Sequence, residues 1–207
     1  MHPGENMIYL ASKSPRRQKL LNQIAVRFTI LDVPQQDPVH SDMVNEAVHS
    51  RENAYDYVSR IAREKAEYAR KFLVTQNMPE HPVLTADTTV VMEGEIIGKP
   101  ADKNEATEIL RRLSGKTHQV LTSVAVRNKE HLFQTVQTSD VTFALLTSRH
   151  INAYVDTGEP FDKAGGYGIQ GLAGKFITHI TGSYSGIMGL PLYETTVLLR
   201  KAGISIP

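Results

Sequence analysis

The chain has no cysteine among its 207 residues, which removes disulfide frameworks, thiolate zinc sites, iron–sulfur clusters and thiol nucleophiles together. It also has almost no net charge. Lys and Arg number 23 against 22 Asp and Glu, leaving +1, whereas a domain whose partner is long nucleic acid is usually strongly basic. Any basic site must be local. No apolar stretch approaches the roughly 18 residues a bilayer span requires, and residues 1–13 carry neither the charged start nor the apolar core of a signal peptide. The expectation is a cytoplasmic protein that engages neither membrane nor long nucleic acid. The 8 histidines are scattered without His-Glu-x-x-His spacing, so an all-protein zinc site has no support, and each reads as a surface or half-buried side chain. No internal repeat or low-complexity block is visible, and the length suits one domain, 1–207, that buries roughly 70% of the unfolded chain's surface.

What is present is an alternation of short apolar runs and amphipathic stretches. Residues 7–11 read as a buried strand, and Ser14-Pro15 caps and opens a helix over 16–25. A strand follows at 26–31, then a Pro-, Gln- and Asp-rich loop at 32–45. A long helix fits 51–72, with Val58, Ile61, Ala62 and Ala69 on one face and Lys65 on that same face. Residues 83–91 are β-rich and mostly apolar, yet Asp87 stands in their middle. Asp102 and Glu105 make a capping-box-like start for a helix ending at Ser114-Gly115. Strands at 118–127 and 131–146 form a hairpin, and Ser148 caps a short helix. A Gly-rich irregular stretch at 158–174, a strand at 175–180, a loop at 181–189 and a helix at 190–201 close a mixed α/β chain.

Two motifs mislead. Gly166-Tyr167-Gly168-Ile169-Gln170-Gly171 matches G-x-G-x-x-G but follows a loop and opens no helical pattern, so a dinucleotide fold is not implied. Gly115-Lys116-Thr117 resembles the end of a P-loop, but Leu110 stands where the first glycine is required, and the segment ends a helix.

The chemistry gathers elsewhere. Ser12-Lys13-Ser14-Pro15-Arg16-Arg17 places two hydroxyls and three cations at a helix N-terminus, where unpaired N–H groups and the helix dipole favour an anion; it reads as a phosphate cradle or as a capped helix with a solvated basic first turn. Lys65 reads either as a snorkelling lysine or as a cation aimed into a cleft. An unpaired carboxylate in an apolar strand is costly, so Asp87 demands a metal, a cation or hydrogen bonds. Lys99, one hairpin arm away, offers a cation, and Asp162, Lys163 and Gln170 add a carboxylate, a cation and an amide on a glycine-rich loop.

Taken jointly, these segments resemble the Maf family of nucleoside triphosphate pyrophosphatases over nearly the whole chain. The residues that carry the resemblance are Leu10-Ala11-Ser12-x-Ser14-Pro15-Arg16-Arg17, Arg60-x-Ala62-x-x-Lys65-Ala66, Ala86-Asp87-Thr88-x-Val90, Gly98-Lys99-Pro100, Leu113-Ser114-Gly115-x-x-His118-x-Val120, Glu159-Pro160-x-Asp162-Lys163-Ala164-Gly165 and Gly189-Leu190-Pro191. The resemblance implies an elongated, two-lobed α/β fold of the Maf/ITPase-like kind with a nucleotide cleft. It implies a cytoplasmic homodimer, and hydrolysis of a nucleoside triphosphate to monophosphate and pyrophosphate with Mg²⁺ or Mn²⁺. It makes Asp87 the catalytic proton acceptor or a metal ligand, and Ser12, Ser14, Arg17, Lys65 and Lys99 the phosphate-binding set. Arg16, Thr88 and Gln170 become the residues that accompany preference for dTTP and UTP; modified pyrimidine nucleotides are further candidates. An acidic pair usual after the second strand stands here as Gln36-Asp37, with residues 38–50 lengthened, so Asp37 is the second metal candidate. The alternatives are a nucleotide-sensing protein without catalysis and a broad pyrophosphatase for other damaged nucleotides.

Overall fold

A β-rich run becomes the spine of the molecule because nearly all of it is buried. Strand β3 (Val83–Met92) is buried at every position except half-buried Thr88. In this computed structural model, which describes residues 6–34 and 43–207, β3 lies inside a seven-stranded sheet. The other strands are β1 (Ile8–Leu10), β2 (Phe28–Ile30), β4 (Glu95–Ile97), β5 (Thr117–Arg127), β6 (Leu132–Phe143) and β7 (Ile177–Thr181). Their order is β2-β1-β3-β5-β6-β7, with β4 attached to β3. β1 runs parallel to β2 and β3, and the remaining pairs are antiparallel.

One edge of β3 is shared by two short strands that do not meet. β1 pairs at Val83 and Leu84, and β4 at Val90, Val91 and Met92. Among the described residues no strand pairs with 85–89 on that edge, while the other edge is paired to β5 from Val83 to Val91. The side chains of β3 change character at the same place. Leu84 and Ala86 join Ile8, Leu10, Leu20 and Leu198 in one core. Val90 and Met92 join Leu110, Leu113, Ile151 and Tyr154 in another. Asp87, Thr88 and Thr89 fall between the two cores, so the cleft lies where the apolar packing changes hands.

Helix boundaries follow local chemistry. α1 (Pro15–Gln23) starts with Pro at its first position, but Ser14 makes no side-chain capping bond. α2 (Ala54–Thr75) begins three residues later than periodicity suggests because Arg51 is left-handed, with φ 64°, and Asn53 caps it by accepting from the Asp56 N–H at 2.9 Å. α3 (Lys103–Leu113) is capped by Asp102, as expected. In α4 (Ser148–Val155) the cap is Thr147, one residue before the expected Ser148, completed by the His150 ring. β6 stops at Phe143, after a bulge at Thr142/Phe143 and short of the expected 146, and the Leu146 N–H is taken by Ser114 Oγ at 2.7 Å. The loop expected at 181–189 contains a short helix, α5 (Tyr184–Ile187), and α6 (Leu192–Lys201) starts after Pro191. Residues 159–176 are a series of short 3₁₀ turns, with no dinucleotide-type helix after the glycines. Among the described residues no helix is long and apolar enough to cross a membrane.

Candidate active site

The uncovered edge of β3 opens into a cavity of about 550 Å³. Every candidate residue within the described chain lines it: Ser12, Ser14, Arg16, Arg17, Lys65, Asp87, Thr88, Lys99, Asp162, Lys163 and Gln170. Asp37 lies outside the described residues.

Asp87 finds its partner on α2. Lys65 Nζ donates to Asp87 Oδ1 at 2.8 Å and also to Glu46 Oε1. The three side chains keep only 13%, 10% and 21% of their surface exposed for Lys65, Asp87 and Glu46 respectively. Burial by itself would lower the Lys65 pKa, but the charges and hydrogen bonds of Asp87 and Glu46 outweigh it and hold the ammonium above its ordinary value. The expected cost of a carboxylate in an apolar strand is thus offset by a cation one helix away.

Glu46 escaped the motif reading. The lengthened segment 38–50 that follows Gln36-Asp37 carries an acid of its own, and that is the available signal. Its placement depends on a clamp. Arg60, 8% exposed, grips Glu52 with Nε at 2.7 Å and Nη2 at 2.8 Å, and Nη2 also reaches the Ala47 carbonyl at 2.9 Å. The Tyr57 hydroxyl donates to the Glu46 carbonyl at 3.1 Å. The two-pronged bond from Arg60 holds the Glu52 carboxyl down at about 2, so the clamp stays charged through the neutral range. A helical period assigns Arg60 to a face but does not show that the segment before the helix folds back over it.

At the N-terminus of α1, Ser14 is the cap residue but its side chain makes no capping bond, and the bonded hydroxyl there is that of Ser12. Ser12 Oγ accepts from the Ser14 N–H at 3.3 Å and from Arg17 Nη1 at 3.2 Å. Arg17 is further tied by Nε to the Gly189 carbonyl at 2.9 Å. Burial lowers its pKa, opposed by the charge of Asp87, but a guanidinium stays protonated at any ordinary pH. Its fork has five N–H donors, so some remain to meet an anion. Exposed Lys99 lines the cavity beyond β4.

The glycine-rich loop forms the facing wall. Gly165 has φ +69°, and a Cβ there would meet Val90 Cγ2 at 2.7 Å, so only glycine lets the loop pack on β3. Glu159 accepts from the Leu172 N–H at 3.0 Å and from the Tyr154 hydroxyl at 3.1 Å, and Lys163 Nζ donates to the Glu159 carbonyl at 2.7 Å while contacting Asp162. Burial works against ionisation of Asp162, yet the Lys163 bond and the charges of Lys163 and Arg16 hold its carboxyl below the usual range.

A sequence profile described as "Maf-like protein" matches residues 7–202. The chain belongs to the Maf family. Its relatives include the "Nucleoside triphosphate pyrophosphatase" of Haemophilus ducreyi, 47% identical over 96% of each chain. The "dTTP/UTP pyrophosphatase" of Bordetella bronchiseptica is 50% identical over 97% of this chain and 94% of that one. That of Chromobacterium violaceum is 45% identical over 100% of both. Among solved structures, the Staphylococcus aureus Ham1 protein superposes with a TM-score of 0.44 at 14% identity, covering 67% of this chain and 72% of that one, too distant a likeness to carry an argument.

One histidine of this Maf protein corrects the surface reading. His118 is 2% exposed, its Nε2 lies 2.6 Å from the Tyr167 hydroxyl, and burial lowers its pKa to about 4. It is therefore neutral at pH 7, a strut between β5 and the glycine-rich loop. This chain thus brings a carboxylate pair held by a lysine, a basic helix N-terminus and an amide-bearing loop around one cavity.

Proposed function

We propose that this protein hydrolyses dTTP and UTP at the bond between the α- and β-phosphates, releasing the monophosphate and pyrophosphate. The observation that carries the reading is the meeting of Asp87 with Lys65 and Glu46 in the cavity that Ser12, Ser14, Arg17 and Lys99 also line. A site that only held a triphosphate would need the cations and not two carboxylates facing the anion. The Bordetella and Chromobacterium relatives, each named a dTTP/UTP pyrophosphatase, support the same substrates.

The side chains divide the work. Arg17, Lys99 and the α1 N-terminus bind the triphosphate, and their positive charge stabilises the departing pyrophosphate. Asp87 orients a water toward the α-phosphorus and takes its proton as the water oxygen bonds to phosphorus and the bridging oxygen leaves with its electron pair. Lys65 fixes the carboxylate in place for that transfer. Arg16, Thr88 and Gln170 face the nucleoside.

The donor set also fits a divalent cation. Among the described residues no cluster of three or more acidic or His ligands exists, but Mg²⁺ is commonly held by one or two carboxylates plus substrate phosphates. Asp87 and Glu46, brought together by Lys65, are the residues that would hold it. When bound, it supplies positive charge at the phosphates. The reading further places the enzyme in the cytoplasm as a homodimer.

The test is a panel of dTTP, UTP, CTP, GTP and dATP assayed with Mg²⁺ or Mn²⁺, scored for both monophosphate and pyrophosphate. The expected result is kcat/KM at least about tenfold higher for dTTP and UTP than for the rest, on the scale of one well-placed hydrogen bond. Release of single phosphate, or equal rates across the panel, would contradict it.

A further inference from the structure

Thr88, one of the residues the resemblance ties to substrate preference, carries a hydroxyl whose direction is set by its neighbours. Thr88 and Thr122 are register partners on β3 and β5, with their Oγ1 atoms 2.9 Å apart. Thr122 is fully buried, and its Oγ1 lies 2.8 Å from the carbonyl oxygen of Gly186 on α5. A carbonyl only accepts, so the single hydrogen of Thr122 is spent on Gly186. The hydrogen between the two threonines must then come from Thr88. Its two lone pairs are left on the cleft side, where Arg17 Nη2 donates to one of them at 3.5 Å and the other faces the substrate space.

We infer that Thr122 is a positioning residue that fixes Thr88 as a hydrogen-bond acceptor toward the substrate. An ionised triphosphate offers only acceptors, so Thr88 does not bind it. Its partner is a hydrogen-bond donor of the nucleoside, either the N3–H of a uracil or thymine ring or the sugar 3′-hydroxyl. Cytosine presents a lone pair at N3 and meets the lone pair of Thr88. The inference rests on the nucleotide-binding part of the proposed function, and explains how a threonine hydroxyl, able in general to donate or accept, can discriminate at all: its hydrogen is committed behind it.

The experiment compares binding of uncleavable α,β-imidotriphosphates by calorimetry, which separates it from whether the proposed bond is broken. Three ligands are used: that of deoxyuridine, that of deoxycytidine, and the 3′-fluoro derivative of the first, which keeps an acceptor but loses the sugar donor. Thr122→Val frees the Thr88 hydrogen to turn outward. The expected result is that one of the two preferences, uracil over cytosine or 3′-hydroxyl over 3′-fluoro, shrinks about tenfold. The preference that moves identifies the donor. Thr122→Ser keeps the relay and should retain both preferences, and adding Thr122→Val to Thr88→Val should change neither further. If Thr122→Val does not fold, Thr122→Cys, whose sulfur is only a weak acceptor for the Thr88 hydrogen, carries the same comparison. Both preferences unchanged in the folded Val or Cys variant, or moved equally by Thr122→Ser, would overturn the inference.

Discussion

Asp87→Asn is expected to fold, to melt close to the wild type and to lose at least about 10²-fold in turnover, the scale of a positioned acid–base or metal-binding group. The folding half follows from the contacts. Asparagine keeps an oxygen where Lys65 donates at 2.8 Å, and Lys65 keeps Glu46 as its ionic partner, so no buried charge is stranded. The catalytic half follows from what the amide lacks, since it neither takes a proton at neutral pH nor carries the charge that would hold a divalent cation. Steady-state hydrolysis of dTTP, with circular dichroism and a thermal melt to establish folding, measures both. Turnover within a few-fold of wild type in the folded variant would remove Asp87 from the chemistry.

Lys65→Met has the opposite profile, because it deletes the shared partner of two carboxylates. Asp87 and Glu46 would face each other with 10% and 21% of their side chains exposed. Removing one member of a buried ion pair costs about 3–5 kcal/mol; with some solvent reaching these groups, the low end applies. About 3 kcal/mol lowers Tm by roughly 6–12 °C in a chain of this size. Activity falls as well, since Asp87 is no longer held. The pH dependence has a definite sign. The folded-state pKa of Lys65 is raised by Asp87 and Glu46 against the effect of burial. Its contribution is therefore complete below the unfolded lysine pKa of about 10.4 and is lost as pH rises through the still higher folded value. The Tm difference between wild type and variant should stay constant from pH 7 to 9 and narrow only in strong alkali. A variant that melts within 2 °C of wild type, on the scale of less than about 1 kcal/mol, would show that the lysine does not offset the carboxylates.

The two residues these variants alter are both legible in the sequence. Asp87 announced itself, because a charge inside an apolar strand is a local contradiction. Lys65 was placed on the correct face of α2 by the helical period, and its pairing with Asp87 followed once α2 lay on the sheet. The Ser14-Pro15 start of α1 was legible too, although the hydroxyl that accepts there belongs to Ser12. Glu46 and Arg60 were not legible as site residues. The bonds from Arg60 to Glu52 and to the Ala47 carbonyl reach back across a helix cap and a left-handed Arg51, and folding a segment back over its own helix leaves no periodic trace. His118 was misread for a related reason. Its burial depends on Tyr167 and Phe143, which approach it from a distant loop and a neighbouring strand. The direction of the Thr88 hydroxyl required three elements at once, β3, β5 and α5. Local contradictions and periodicities survive in a linear sequence; the partner of a buried polar group, supplied by tertiary packing, does not.

The central claim is that water attacks the α-phosphorus of dTTP or UTP, and the position of one oxygen atom tests it. Hydrolysis of dTTP in H₂¹⁸O, followed by mass spectrometry of both products, is expected to place a single ¹⁸O in dTMP and none in pyrophosphate. Label in pyrophosphate with unlabelled dTMP would mean attack at the β-phosphorus and would contradict the account.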